Sequence, residues 1–134
     1  MSKSSASISD RLITPGIILF TENFDACVVF YRDKIGLPVW FEKDGLCCLR
    51  FGSAYLMIET NGISKGSRKA VAENPTILRF NVDDVVASAS LLEAQGISVK
   101  ISRYDWGTTG AFLDPDGNVC GLKNADDPFF EITR

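Results

Sequence analysis

The sequence predicts an α+β fold made of two copies of a strand–helix–strand–strand–strand (βαβββ) unit. Short segments in which apolar and polar residues alternate predict half-buried strands. Two other segments have helical spacing and end at Gly36 and Gly96, which lie 60 residues apart. The strands that open the two halves match at an offset of 61 residues: Ile17, Leu19 and Thr21 with Leu78, Phe80 and Val82. An internal duplication of this kind indicates one architecture used twice.

The bulk composition predicts one domain over residues 1–134. Hydrophobic residues make up 46% of the chain and charged residues 23%, which is typical of a globular protein with a core of its own. A net charge of −3 argues against a nucleic-acid or anionic-membrane surface. The N-terminal segment, about 1–12, is polar and rich in serine, and we expect a disordered leader and a cytoplasmic location.

The first unit, module one, is predicted to occupy about residues 13–60. A strand at Ile17–Thr21 is followed by Asn23 as the N-cap of a helix over about Phe24–Lys34, which ends at Gly36. Three further strands with tight turns are expected at Val39–Lys43, Leu46–Phe51 and Ala54–Thr60.

The last two strands of module one predict two different sheet faces when Phe51 is paired with Ala54. One face is wholly apolar and should lie under the helix: Cys47, Leu49, Phe51, Leu56 and Ile58. The other is mixed and should line a partly wet cleft: Cys48, Arg50, Tyr55, Met57 and Glu59.

The second unit, module two, is predicted at about residues 76–123, after a polar connector at Asn61–Asn74 that can also act as a mobile flap. Its elements are expected at Thr76–Val82 (strand), Val85–Gln95 (helix), Ile97–Arg103 (strand) and Ala111–Lys123 (hairpin around Asp114-Pro115-Asp116-Gly117-Asn118). In the tail, 124–134, the adjacent Phe129 and Phe130 should dock on this chain or on a partner.

Reactive residue types are few. The chain has no histidine, the commonest general base and the commonest metal ligand. Its four cysteines form no CxxC pair, and we interpret them as small buried hydrophobic residues.

The motifs, in their order and spacing, resemble the vicinal oxygen chelate superfamily of glyoxalases, bleomycin-resistance proteins and extradiol dioxygenases. The resemblance covers Ile13 to Lys123, and these motifs carry it: Phe30-Tyr31-Arg32-Asp33, Ile35-Gly36-Leu37, Phe80-Asn81-Val82-Asp83-Asp84-Val85, Trp106-Gly107 and Asp114-Pro115-Asp116-Gly117-Asn118. It implies two βαβββ modules around a cupped mixed sheet with the helices outside (the glyoxalase-like fold), in a homodimer.

The resemblance also implies where a metal would be held, on the first and last strands of each module. In this sequence those positions read Gly16, Met57, Ile77 and Gly121. None offers a side-chain oxygen or nitrogen, and a divalent metal needs several such ligands. We therefore expect neither a metal nor another cofactor.

Ligand-binding candidates on the predicted cup side are Phe20, Arg50, Tyr55, Met57, Glu59, Arg79, Asn81, Tyr104, Trp106 and Phe112. The set combines apolar walls with a few polar groups, as small-molecule sites do. An arginine can hold a carboxylate or phosphate in a bidentate fork, although Arg50 can instead pair with Glu59. Tyr104 and Trp106 can stack on a planar ligand, or Trp106 can be structural.

The sequence leaves three functions open. The first is a metal-free binding protein that sequesters an anionic or aromatic small molecule in the cup, as bleomycin-resistance-like members do. The second is a glyoxalase-type lyase, isomerase or transferase, or a dioxygenase-related enzyme, with Glu59 or Tyr55 as the base. The third is a structural homodimer with a collapsed cavity.

Overall fold

Two four-stranded mixed sheets, each with one helix, form the fold over residues 7–126, which the computed structural model describes. The α+β class and the two βαβββ modules are confirmed. Sheet one has the order β1-β4-β3-β2 and sheet two the order β5-β8-β7-β6, so the same topology is used twice. The first and fourth strands of each module pair in parallel, and the other pairs are antiparallel.

The elements of module one have these bounds: β1 Gly16–Thr21, α1 Phe24–Val28 with a π-helical turn over Val29–Lys34, β2 Val39–Lys43, β3 Leu46–Phe51 and β4 Ala54–Thr60. The predicted register of β3 and β4 is confirmed, with Phe51 opposite Ala54 and Arg50 opposite Tyr55.

The elements of module two are β5 Leu78–Val82, α2 Val85–Ala94, β6 Lys100–Tyr104, β7 Gly107–Leu113 and β8 Val119–Asn124. Here the predicted bounds shift. The strand predicted from Ile97 begins only at Lys100, because the Ile97 N–H bonds the Leu92 carbonyl after Gly96 at φ +82°. Ile97 thus belongs to the C-terminal cap of α2, and its apolar side chain is buried in the core.

The start of the first helix also differs from the prediction. Asn23 does not cap α1 with its side chain. Instead the Asp116 carboxylate, which belongs to module two, accepts bonds from the Glu22 N–H (2.9 Å) and from the Asn23 N–H (3.2 Å) and side-chain amide (2.9 Å). The predicted capping role of Asn23 is therefore wrong, because an acceptor from the other module takes that place.

One hydrophobic core runs through both modules. Phe51 of β3 lies 5.1 Å from Phe80 of β5, and Phe30 lies 6.1 Å from Phe112 of β7 (ring centroids). The helix-covered faces of the two sheets thus share a core. The prediction that Phe112 lines the cup is wrong, since this side chain is 3% exposed on the covered face.

The turn Asp114–Asn118, here called the DPDGN turn, is buried between the modules. Asp114 accepts bonds from the Tyr31 hydroxyl at 2.7 Å and from the Asp116 N–H, the Asn118 N–H and the Asn118 side-chain amide. Its hydrogen bonds thereby link module one to module two through the interior.

The connector is fixed to the same turn. The Lys65 N–H bonds the Asp116 carbonyl, the Lys69 N–H bonds the Gly117 carbonyl, and the Lys69 ammonium reaches the Asn118 side chain at 2.9 Å. These bonds oppose the predicted movement of this part of the connector as a flap.

At the termini, residues 7–12 of the predicted disordered leader include an exposed 3₁₀ turn over Ile8–Asp10. The predicted docking of Phe129 and Phe130 lies outside the described residues. Within 7–126, no helix has the length and apolarity that crossing a membrane requires.

We expect Asp116→Ala to lower the free energy of unfolding by about 3 kcal/mol, because the donors at the start of α1 lose a buried, charged acceptor. Chemical denaturation monitored by circular dichroism measures this. Asp126→Ala removes an exposed carboxylate and should change stability by less than about 0.5 kcal/mol. Equal effects of the two substitutions would contradict the bridging role of Asp116.

Candidate functional site

Each sheet has one face without a helix, here called the open face. Alternation along the strands places most predicted ligand-binding residues on these faces. The open face of module one carries Ile18, Phe20, Arg50, Tyr55, Met57 and Glu59, and that of module two carries Arg79, Asn81, Thr109, Ala111, Gly121 and Lys123. The two faces belong to separate sheets, so the single chain does not by itself close a cup.

An aromatic–cation cluster stands on the open face of module one. The Arg50 guanidinium carbon lies 4.7 Å from the centroid of the Trp40 ring, and the Trp40 and Tyr55 rings meet at 5.8 Å and 64°. Trp40 was missing from the predicted site because its direction was ambiguous. An irregularity in the pairing of β2 between Val39 and Phe41 interrupts the simple alternation there.

A second cluster stands on the open face of module two. The Tyr104 and Trp106 rings are stacked at 4.7 Å with planes 4° apart, and the Lys123 ammonium lies 5.0 Å from the Trp106 centroid. Lys123, which the sequence analysis did not select, is 1% exposed. A cavity of about 180 Å³ is lined by Arg79, Trp106 and Gly121, among others.

Two of the positions at which the family would hold a metal, Gly16 and Gly121, lie against side chains of adjacent strands. A Cβ atom at Gly16 would overlap the ring of Tyr55, its partner on β4. A Cβ atom at Gly121 would lie 3.5 Å from Arg79 Nε and 3.6 Å from Ile77 Cγ2. Gly16 thus gives room to the Tyr55 ring, whereas a side chain at position 121 would make ordinary contacts with Arg79 and Ile77.

These residues do not fit a divalent metal. The only side-chain heteroatom at the four positions is the thioether sulfur of Met57, and divalent metals of this kind are held by oxygen, nitrogen or thiolate donors. Across residues 7–126, no three or more histidine, cysteine or carboxylate side chains are grouped closely enough to hold a metal ion.

The predicted general bases occupy different surroundings. A nearby carboxylate, Glu22, accepts a bond from the Ser64 N–H at 2.8 Å and so fixes the connector. Glu59 is half-buried on the open face. The alternative pair Arg50–Glu59 does not form, since the ion pairs within 7–126 are Arg32–Asp33, Arg32–Glu42 and Lys65–Glu73. Arg50 and Arg79 are therefore not neutralised by a carboxylate of the described chain.

The four cysteines are free and buried, as the sequence predicted. Burial raises the pKa of the Cys120 thiol to about 12 and, helped by the charge of Glu42, raises the pKa of Cys47 to about 11. Burial likewise raises the pKa of Cys27 and Cys48. Because the thiolate is the nucleophile, these side chains are poor nucleophiles at neutral pH.

Comparisons with known proteins identify the family. The model of the Glyoxalase/Bleomycin resistance protein/Dioxygenase superfamily matches residues 14–122. The protein YraH of Bacillus subtilis (strain 168), itself uncharacterized, is 30% identical over 116 residues, spanning 77% of this chain and 91% of YraH. The chain therefore belongs to the glyoxalase/bleomycin resistance protein/dioxygenase superfamily.

Solved structures of the same fold include members with different activities. A lactoylglutathione lyase from Agrobacterium tumefaciens aligns with a TM-score of 0.66 at 23% identity, covering 83% of this chain and 92% of that one. A bleomycin resistance determinant encoded on the transposon Tn5 aligns with a TM-score of 0.65 at 20% identity, covering 84% and 98%. At these identities the likeness shows the fold alone.

We expect Gly16→Ala to destabilise the protein by about 1–3 kcal/mol, because the new methyl group overlaps the Tyr55 ring. Thermal and urea denaturation measure the loss. Gly66→Ala is the matched control, since no atom lies within 4 Å of a Cβ built there. In a Tyr55→Ala background the penalty at position 16 should largely disappear, and an unchanged penalty would contradict the contact.

Proposed function

We propose that the protein is a metal-free small-molecule-binding member of its superfamily, which sequesters an anionic or aromatic ligand on the open faces. One observation carries the proposal. At the four positions where the family would hold a metal this chain has no side-chain oxygen or nitrogen, and the Tyr55 ring and the Arg79 guanidinium lie beside two of them, Gly16 and Gly121.

The chemistry of the open faces suits such a ligand. The guanidinium of Arg79, exposed and without an ion pair in the described chain, can donate two parallel hydrogen bonds to a carboxylate or phosphate. The stacked Tyr104 and Trp106 rings, both half-exposed, provide a flat surface for an aromatic group.

The proposal includes a homodimer in which the open faces of two copies cover each other. Large apolar side chains on these faces remain substantially exposed in the single chain: Ile18 48%, Phe20 53%, Ile77 54%, Tyr104 53% and Trp106 42%. Several exposed large apolar side chains on one kind of face favour an interaction site, and a second copy would enclose the ligand.

A cytoplasmic location completes the proposal. All four cysteines lie within the described residues, and each is a free thiol. Unpaired thiols agree with a reducing compartment.

Ligand binding can be tested with 2-naphthoate and its uncharged analogue 2-naphthol. We expect Arg79→Ala to weaken the binding of 2-naphthoate about tenfold, which corresponds to the loss of one charge-assisted contact. The affinity for 2-naphthol should change less than twofold. Isothermal titration calorimetry in EDTA measures both affinities. Arg103→Ala removes an exposed arginine from the opposite face of the same sheet and serves as the control.

The result would overturn the proposal if 2-naphthoate bound only after Zn²⁺ or Ni²⁺ was added, or if Arg79→Ala and Arg103→Ala weakened it equally.

The dimer can be tested by light scattering coupled to size-exclusion chromatography. We expect a dimer for the wild type and a monomer for the double substitution Phe20→Glu and Ile77→Glu, because two carboxylates would be buried in the interface. Leu91→Glu changes a 72%-exposed residue of α2 and should leave the dimer intact. If the wild type is a monomer at micromolar concentration, the proposed dimer with paired open faces is wrong.

A further inference from the structure

A further cavity lies away from the two aromatic clusters of the open faces. It is a groove of about 550 Å³ at the end of the β7–β8 hairpin, here called the hairpin groove. The π-helical turn after α1, the connector, the segment before β6 and the DPDGN turn all contribute to it. Phe112, which faces the core, lies on its floor, so the groove extends to the covered side of sheet two.

The floor of the hairpin groove is apolar. Phe30, Ile97, Val99 and Phe112 line it, and all four belong to the core or pack against it. These positions are rigid because they are held by core packing, so the groove is a preformed recess. Its volume is within the range of about 300–1,000 Å³ that is typical of small-ligand sites.

Three cations surround this floor, and each comes from a different segment. Lys34 follows α1, Arg68 belongs to the connector and Lys100 begins β6. All three are exposed, and none makes an ion pair with another residue of 7–126. Three positive side chains thus line one groove although the net charge of the chain is −3.

No free acidic group in the groove lining offsets these cations. Asp114 is the one carboxylate among the lining residues, and it is 5% exposed. Its oxygens already accept bonds from the Tyr31 hydroxyl, two backbone N–H groups and the Asn118 side chain. The groove therefore presents positive charge above an apolar floor.

We propose that the hairpin groove is a second ligand site, which adjoins the open face of module two at Lys100 and Ala111 but contains neither Arg79 nor the Tyr104–Trp106 stack, and that it takes an amphipathic monoanion with an aliphatic tail. The tail lies on the Phe30–Phe112 floor, and the anionic head lies among Lys34, Arg68 and Lys100. A highly charged ligand such as a nucleotide fits less well, because most of the lining surface is apolar.

The probe for this site is octanoate, with 1-octanol as the uncharged analogue. We expect the double substitution Lys34→Gln and Lys100→Gln to weaken the binding of octanoate about fivefold or more, because two exposed charge contacts are lost. The affinity for 1-octanol should fall less than twofold. The double substitution Lys43→Gln and Arg103→Gln removes the same charge from outside the groove and should leave both affinities unchanged.

Two further measurements locate the bound octanoate. Amide chemical shifts of ¹⁵N-labelled protein should move at Gly96 and Val99 rather than at Gly121. Ser98→Trp, a substitution of an exposed lining residue, should abolish the binding of both probes by filling the groove.

The proposal fails if octanoate binding does not saturate, if the two double substitutions act equally, or if Arg79→Ala weakens octanoate as much as the lysine substitutions do. That last result would place octanoate on the open face. The 2-naphthoate experiment is independent of this outcome, so failure of the groove and failure of the open-face site are distinguishable.

Discussion

The Asp116 carboxylate is the contact on which the arrangement of the molecule depends. It is fully buried, it comes from module two, and it accepts hydrogen bonds from the backbone N–H groups that precede α1 of module one. A carboxylate suits the positive end of a helix, and here it joins two modules that share no strand pair. Because the modules are fixed in this orientation, their helix-covered faces form one core and their other faces remain open.

The same turn also determines the course of the connector. A Cβ atom at Gly117 would overlap the Ser67 carbonyl oxygen, and Gly117 has φ +87°, so glycine is required both by the close approach and by the backbone conformation. The connector crosses the turn at this point, and Arg68, the next residue, lines both the hairpin groove and the cavity on the open face. A structural turn thereby holds a charged side chain between two candidate sites.

Alternation and turn residues were sufficient to predict the order of helices and strands along the chain and the β3–β4 register, because a half-buried strand fixes which residues face the core. The predictions were wrong where a contact between modules, or a local irregularity, overrides the alternation of side chains along a strand. Phe112 was assigned to the wrong face, since Ala111, Phe112 and Leu113 form an apolar run in which alternation does not mark the covered face. Trp40 was missed because the β2 pairing is irregular. The covering of Gly16 by Tyr55 depends on the parallel β1–β4 pair, which joins residues 39 positions apart.

A glycine at a ligand position of this fold is therefore more than a missing donor. At Gly121 a Cβ atom would lie 3.5 Å from Arg79 Nε, so a positive group lies beside the position where the family would hold a metal. Replacing Gly121 with glutamate would place a carboxylate against that guanidinium, and the two would form an ion pair in preference to a metal site. The fold can thus carry different side chains at these strand positions without a change in its topology.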